Sequence, residues 1–127
     1  MNYIYVACGG ALGAVARYAI SQIPIKTDFP SLTFATNLLG AILIGFIVGY
    51  LDRYDNDSPF IPSFWKVGVC GGFTTFSTFS LEAVNLIENK LYFTGGAYMI
   101  LSVLCCLAGV ALGKNKVLPL SRTILIW

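Results

Sequence analysis

Apolar and polar positions in this chain are sorted into long blocks instead of alternating. Residues 29–51 contain no charged side chain, and neither do residues 91–113. Two further apolar runs, 3–22 and 64–87, carry only Arg17 in the first and Lys66 and Glu82 in the second. A helix needs about 20 predominantly apolar residues to cross the hydrocarbon core of a bilayer. The blocks therefore predict four transmembrane helices, at 3–22, 29–51, 64–87 and 91–113, in an all-α membrane protein that uses the whole chain as one four-helix domain. The joins are short: Pro24 to Pro30, Asp52 to Pro62, and Glu88 to Lys90. Pro59 and Pro62 suit the entry to the third helix. A β-barrel is excluded by pattern, because barrel strands are shorter and alternate.

The third run contains Gly71-Gly72-Phe73-Thr74-Thr75 near its middle. Adjacent glycines followed by adjacent β-branched residues make a poor helix interior, and the segment predicts a break. A broken helix frees carbonyls on one side and amides on the other. Neither can stay bare in hydrocarbon, so bound ions are one way to satisfy them. A glycine-rich crossing point in an unbroken helix is the alternative.

Composition agrees with lipid as the solvent. The 127 residues are 57% hydrophobic and 11% charged, with mean hydropathy +0.76, whereas soluble domains carry roughly 25% charged residues. A net charge of +2 gives no reason to expect nucleic acid as a partner, and the absence of histidine excludes an imidazole base. Cys8, Cys70, Cys105 and Cys106 all fall in apolar runs, where they read as small hydrophobes packed between helices. Met1-Asn2-Tyr3 lacks the basic residues of a signal peptide, so the first run reads as a retained helix. With four spans, Arg53, Lys114, Lys116 and Arg122 share one side, against Lys26 and Lys90 on the other. This modest bias favours cytoplasmic termini and leaves insertion in both orientations open. The basic tail from Lys114 to Trp127 is expected at the membrane surface.

Glycines spaced by four in the first, second and fourth runs (Gly9 and Gly13, Gly45 and Gly49, Gly109 and Gly113) predict close helix packing. The candidates for chemistry are few. Asn37 offers two amide donors mid-membrane, for an anion or for a neighbouring helix. Phe76 and Phe79 share a helical face, and their ring edges carry partial positive charge suited to an anion's path. Glu82 is the one carboxylate inside a run, a functional candidate by default, or else a partner for Arg17 or the interface. Arg17 attracts anions or snorkels. Tyr98 and Ser102 place hydroxyls one turn apart. No nucleophile–base set, metal-ligand cluster or phosphate loop occurs, so the chain does not read as an enzyme.

Three segments in order resemble the Fluc (CrcB) family of fluoride channels: Gly9-Gly10-Ala11-Leu12-Gly13-Ala14-Val15-Ala16-Arg17-Tyr18, Thr36-Asn37-Leu38-Leu39-Gly40, and Gly71-Gly72-Phe73-Thr74-Thr75-Phe76-Ser77-Thr78-Phe79-Ser80-Leu81-Glu82. The resemblance implies an antiparallel, dual-topology homodimer with two fluoride pores, in the cell membrane of a prokaryote. It implies that Asn37, Phe76, Phe79, Tyr98 and Ser102 line the pore. Arg17 would stand near a vestibule and Glu82 toward a pore end. Carbonyls of Gly71 and Thr74 from both subunits would hold a structural sodium ion. Some family members pair with a homologous subunit instead of a second copy. The implied activity is passive, selective export of cytoplasmic fluoride, without coupling to ATP or protons. A small multidrug-type four-helix exporter would need a carboxylate in the first run, which has none. A structural membrane protein without transport is the remaining alternative.

Overall fold

The computed structural model describes residues 2–54 and 58–117, and every regular element among them is helical. α1 spans Asn2–Ser21 and α2 spans Ser31–Tyr54. α3 starts as a π-helix at Ile61–Cys70 and continues through one α-helical turn at Gly71–Phe73. α4 spans Phe76–Glu88 and α5 spans Tyr92–Val117. By length and composition, α1, α2 and α5 are each able to cross a membrane. The remaining apolar run is divided between α3 and α4.

The division falls at the threonines, not at the glycines. Gly71 is helical (φ −64°, ψ −37°). Thr74 and Thr75 are extended, at φ −78°, ψ 155° and φ −147°, ψ 109°. Thr74 closes α3: its amide and its hydroxyl both donate to the Cys70 carbonyl, at 3.0 and 2.9 Å. Thr75 opens α4 as its N-cap, its Oγ1 accepting from the Thr78 amide at 3.2 Å. β-Branching favours the extended backbone, and the hydroxyls replace the helical partners that are lost.

Helices that run in the same direction make the closest contacts. Gly9 meets α3 at Phe64 and Gly68, and Gly13 meets it at Val69 and Phe73. A Cβ at Gly13 would fall on the Val69 carbonyl, so only glycine permits this approach. Gly45 and Gly49 meet α5 at Val110 and Lys114 in the same parallel sense. The two parallel pairs, α1 with α3 and α2 with α5, are packed side by side, and α4 leans mainly on α5. Ala83 and Leu86 of α4 form a buried cluster with Tyr98, flanked by Phe29, Phe34, Phe79 and Met99.

The turn from α4 to α5 reverses the chain in three residues, 89–91. Lys90 takes the left-handed conformation (φ 62°), its amide bonding the Ile87 carbonyl while that of Leu91 bonds Leu86. This is the Schellman arrangement, with lysine where glycine is usual. At the other end of the molecule, α5 runs past its expected limit at residue 113. Lys114 pairs with Asp52 at 3.0 Å, and Arg53 Nη1 donates to the Val117 carbonyl at 2.9 Å. Both contacts tie the C-terminal ends of α2 and α5. Arg122 and the rest of the tail expected at the surface lie outside the described residues. All four cysteines are free; Cys70 is buried as expected and Cys105 and Cys106 partly so, whereas Cys8 is exposed on the outer face of α1.

Candidate functional site

The site grows from the way the break is held open. In a continuous helix the Thr75 amide would bond the Gly71 carbonyl. Here it donates to Asn37 Oδ1 at 2.7 Å, and Asn37 Nδ2 donates back to the Thr75 carbonyl at 3.1 Å. One side chain of α2 thus takes both polar groups of the extended residue. The Thr78 amide is turned onto Thr75 Oγ1, away from the Thr74 carbonyl. Arg17 reaches from α1 to donate its Nε–H to the Gly72 carbonyl at 3.3 Å. The carbonyls of Gly71 and Thr74 have therefore lost the amides that would have closed helical turns onto them.

A cavity of about 370 Å³ lies against this break. It brings together Asn37, Phe76, Phe79 and Ser102, and it also touches Gly71 and Thr74. The Phe76 and Phe79 rings are 5.5 Å apart and inclined at 40°. Phe79 is half-buried, whereas Phe76 is 78% exposed on the face of the single chain. Ser102 is 6% exposed, and its Oγ has no hydrogen-bond partner among the described residues. A buried hydroxyl without a partner is uncommon in a native fold and points to a group that is not part of the chain.

Three expected site residues do not line this cavity. Glu82 accepts two hydrogen bonds at 2.8 Å, Oε1 from Thr33 Oγ1 and Oε2 from the Tyr98 hydroxyl. Of the alternatives open for Glu82, pairing with Arg17 is not the one found: the carboxylate is held by neutral hydroxyls of α2 and α5, and the guanidinium by a backbone carbonyl. Tyr98 is fully buried, with Phe29 edge-on at 5.4 Å and Phe79 at 5.1 Å. Arg17 borders a separate pocket of about 50 Å³ with Thr33, Thr36 and Thr78, and Thr75 touches both spaces. Thr33 is not among the expected site residues, yet it holds Glu82 in place beside the site. Its spacing of four from Asn37 was the available signal, since the two share a face of α2.

The donor set defines what the site can hold. Carbonyl oxygens released by the break are hard, neutral acceptors suited to a hard cation. No group of three or more Cys, Asp or Glu side chains able to ligate a metal occurs among the described residues. The cavity itself presents a hydroxyl, an amide with a second N–H to spare, and aromatic ring edges. These are neutral donors toward an anion.

A family model described as CrcB-like protein, Camphor Resistance (CrcB), matches residues 4–114. The chain belongs to the CrcB family. The CrcB match covers the chain from α1 through the break and most of α5. Individual relatives agree. A protein of Hahella chejuensis named fluoride-specific ion channel FluC is 43% identical over 128 aligned positions, covering 98% of this chain and 97% of its own. A FluC of Ruminiclostridium cellulolyticum is 42% identical, covering 90% of each chain. Another, from Flavobacterium psychrophilum, is 41% identical over 78% of this chain and 82% of its own.

Proposed function

We propose that this CrcB chain is a fluoride-selective channel, passively releasing cytoplasmic fluoride across the cell membrane of a prokaryote. One observation carries the reading. Asn37, Phe76, Phe79 and the unpartnered Ser102 hydroxyl converge on one cavity beside a break in a membrane-spanning run. A small anion entering the membrane must exchange its hydration for other donors. Ser102 Oγ–H and the second Asn37 N–H supply two, and the ring edges of Phe76 and Phe79 extend the path with weaker, non-covalent attraction. Weak successive contacts suit conduction, since a site that binds too tightly does not release its ion. No step requires an acid, a base or a coupled ion.

The working unit is an antiparallel homodimer of this chain. Phe76 and Gly71 are exposed on the single chain, and in hydrocarbon an uncovered break is untenable. A second, inverted copy covers both. The carbonyls of Gly71 and Thr74 fit a structural sodium ion, since they are neutral oxygens without helical partners. Bound there, sodium would supply fixed positive charge between the subunits. In this arrangement α3 and α4 together make the third of four crossings.

The test is fluoride efflux from liposomes containing the purified chain alone, read with a fluoride electrode. Fluoride should leave and chloride should stay. Replacing sodium by N-methylglucamine during reconstitution should abolish the flux. Equal retention of both anions by sodium-loaded protein would end the channel reading.

A further inference from the structure

The cavity has one charged residue in its wall. Among its lining residues, Lys66 alone carries an ionisable amine or carboxylate; the others are amides, hydroxyls, thiols, glycines and apolar side chains. Lys66 lies in the π-helical part of α3 and is exposed on the single chain. Among the described residues it has no ion-pair partner; the ion pair found there joins Lys114 to Asp52.

Its place along the cavity follows from the topology. α2 and α5 run parallel, and α3 runs against both. Thr75 is level with Asn37, because the two are hydrogen-bonded. Moving back along α3 from Thr75 to Lys66 therefore moves forward along α2, from Asn37 toward Ile44, and along α5, from Ser102 toward Val110. Ile44 and Val110 line that end of the cavity and are apolar. Lys66 thus lines the cavity at the end opposite Phe79, its backbone roughly 10 Å from the Asn37 level by helical rise. Cys70 and Cys106 line the wall between the two levels.

We propose that Lys66 is a second anion station of this cavity, a fixed positive charge that draws small anions in at the Ile44–Val110 end and passes them toward Ser102. The proposal rests on the channel reading above and adds a rate-determining residue to it. A charge set in low-dielectric walls focuses its field along the cavity and raises the local concentration of the opposite ion. The neutral donors around Ser102 then receive an ion already concentrated by the amine. Two stations, one charged and one neutral, also allow an arriving ion to displace the one ahead of it.

The test uses the full chain in liposomes and a charge series at one position. At low ionic strength, with fluoride as the probe, Lys66→Gln should slow initial efflux about tenfold, within the range by which local charge alters ion encounter. Lys66→Arg should keep the wild-type rate, and Lys66→Glu should be slower than Lys66→Gln. Adding impermeant sodium gluconate should close the gap between wild type and Lys66→Gln by screening. A packing role would not produce this order or this salt dependence. Wild-type efflux from Lys66→Gln at low salt would overturn the proposal while leaving the channel reading intact. So would a salt-insensitive loss shared by Lys66→Arg. Absence of fluoride efflux from the wild-type chain would overturn both.

Discussion

Two polar clusters hang from one face of α2, a single turn apart, and they are finished differently. Around Thr33, every side-chain group is answered: its hydroxyl and that of Tyr98 share the Glu82 carboxylate, one on each oxygen. Around Asn37, the side chain holds the backbone of Thr75 with one N–H to spare, and the nearby Ser102 hydroxyl has no partner among the described residues. The first cluster is closed away from the cavity, with Tyr98 wholly buried; the second opens onto it. Polarity inside a membrane span is therefore not by itself a sign of a ligand site. A completed set of hydrogen bonds joins helices. An incomplete set, in a space large enough for an ion, is where something else is held.

The comparison is broken most forcefully at its anchor. Asn37→Ala strands both the amide and the carbonyl of Thr75. It should cost on the order of 2–4 kcal/mol, seen as a large fall in thermal stability in detergent, with fluoride flux lost. Glu82→Ala is the corresponding test of the closed cluster. It leaves two buried hydroxyls unanswered and should destabilise by about 2 kcal/mol, less than the loss at Asn37 because no backbone group is stranded. Ser102→Ala sharpens the contrast from the other side. It removes no hydrogen bond among the described residues, so stability should hold to within about 0.5 kcal/mol while fluoride efflux falls. A clear loss of stability in Ser102→Ala would show that its hydroxyl serves the fold and would dissolve the distinction between the clusters.

The helices were legible because lipid imposes a simple rule: a charge-free block is a crossing element. The break was legible too, although for an incomplete reason. Gly71-Gly72 looked like the weak point, yet both glycines are helical and the chain departs from the helix at Thr74 and Thr75. The glycine pairs of α1 and α2 were readable as contact faces, because spacing on one helix is a local property. Partnerships between helices were not readable. Thr33 finds Glu82, and Arg17 finds the Gly72 carbonyl, across separations of 49 and 55 residues. Only the docking of one helix on another decides such pairs. The π-winding of Ile61–Cys70 likewise has no signature in the residues beyond Pro62 at its start.

The discontinuity between α3 and α4 is pinned twice, by α2 at Thr75 and by α1 at Gly72. Re-zipping it into continuous helix would leave an amide and a guanidinium stranded in oil. On the channel reading, such a conduit has no low-energy way of shutting itself. A cell that carries it would govern leakage through the number of copies it makes and the narrowness of what they admit, not through a moving gate.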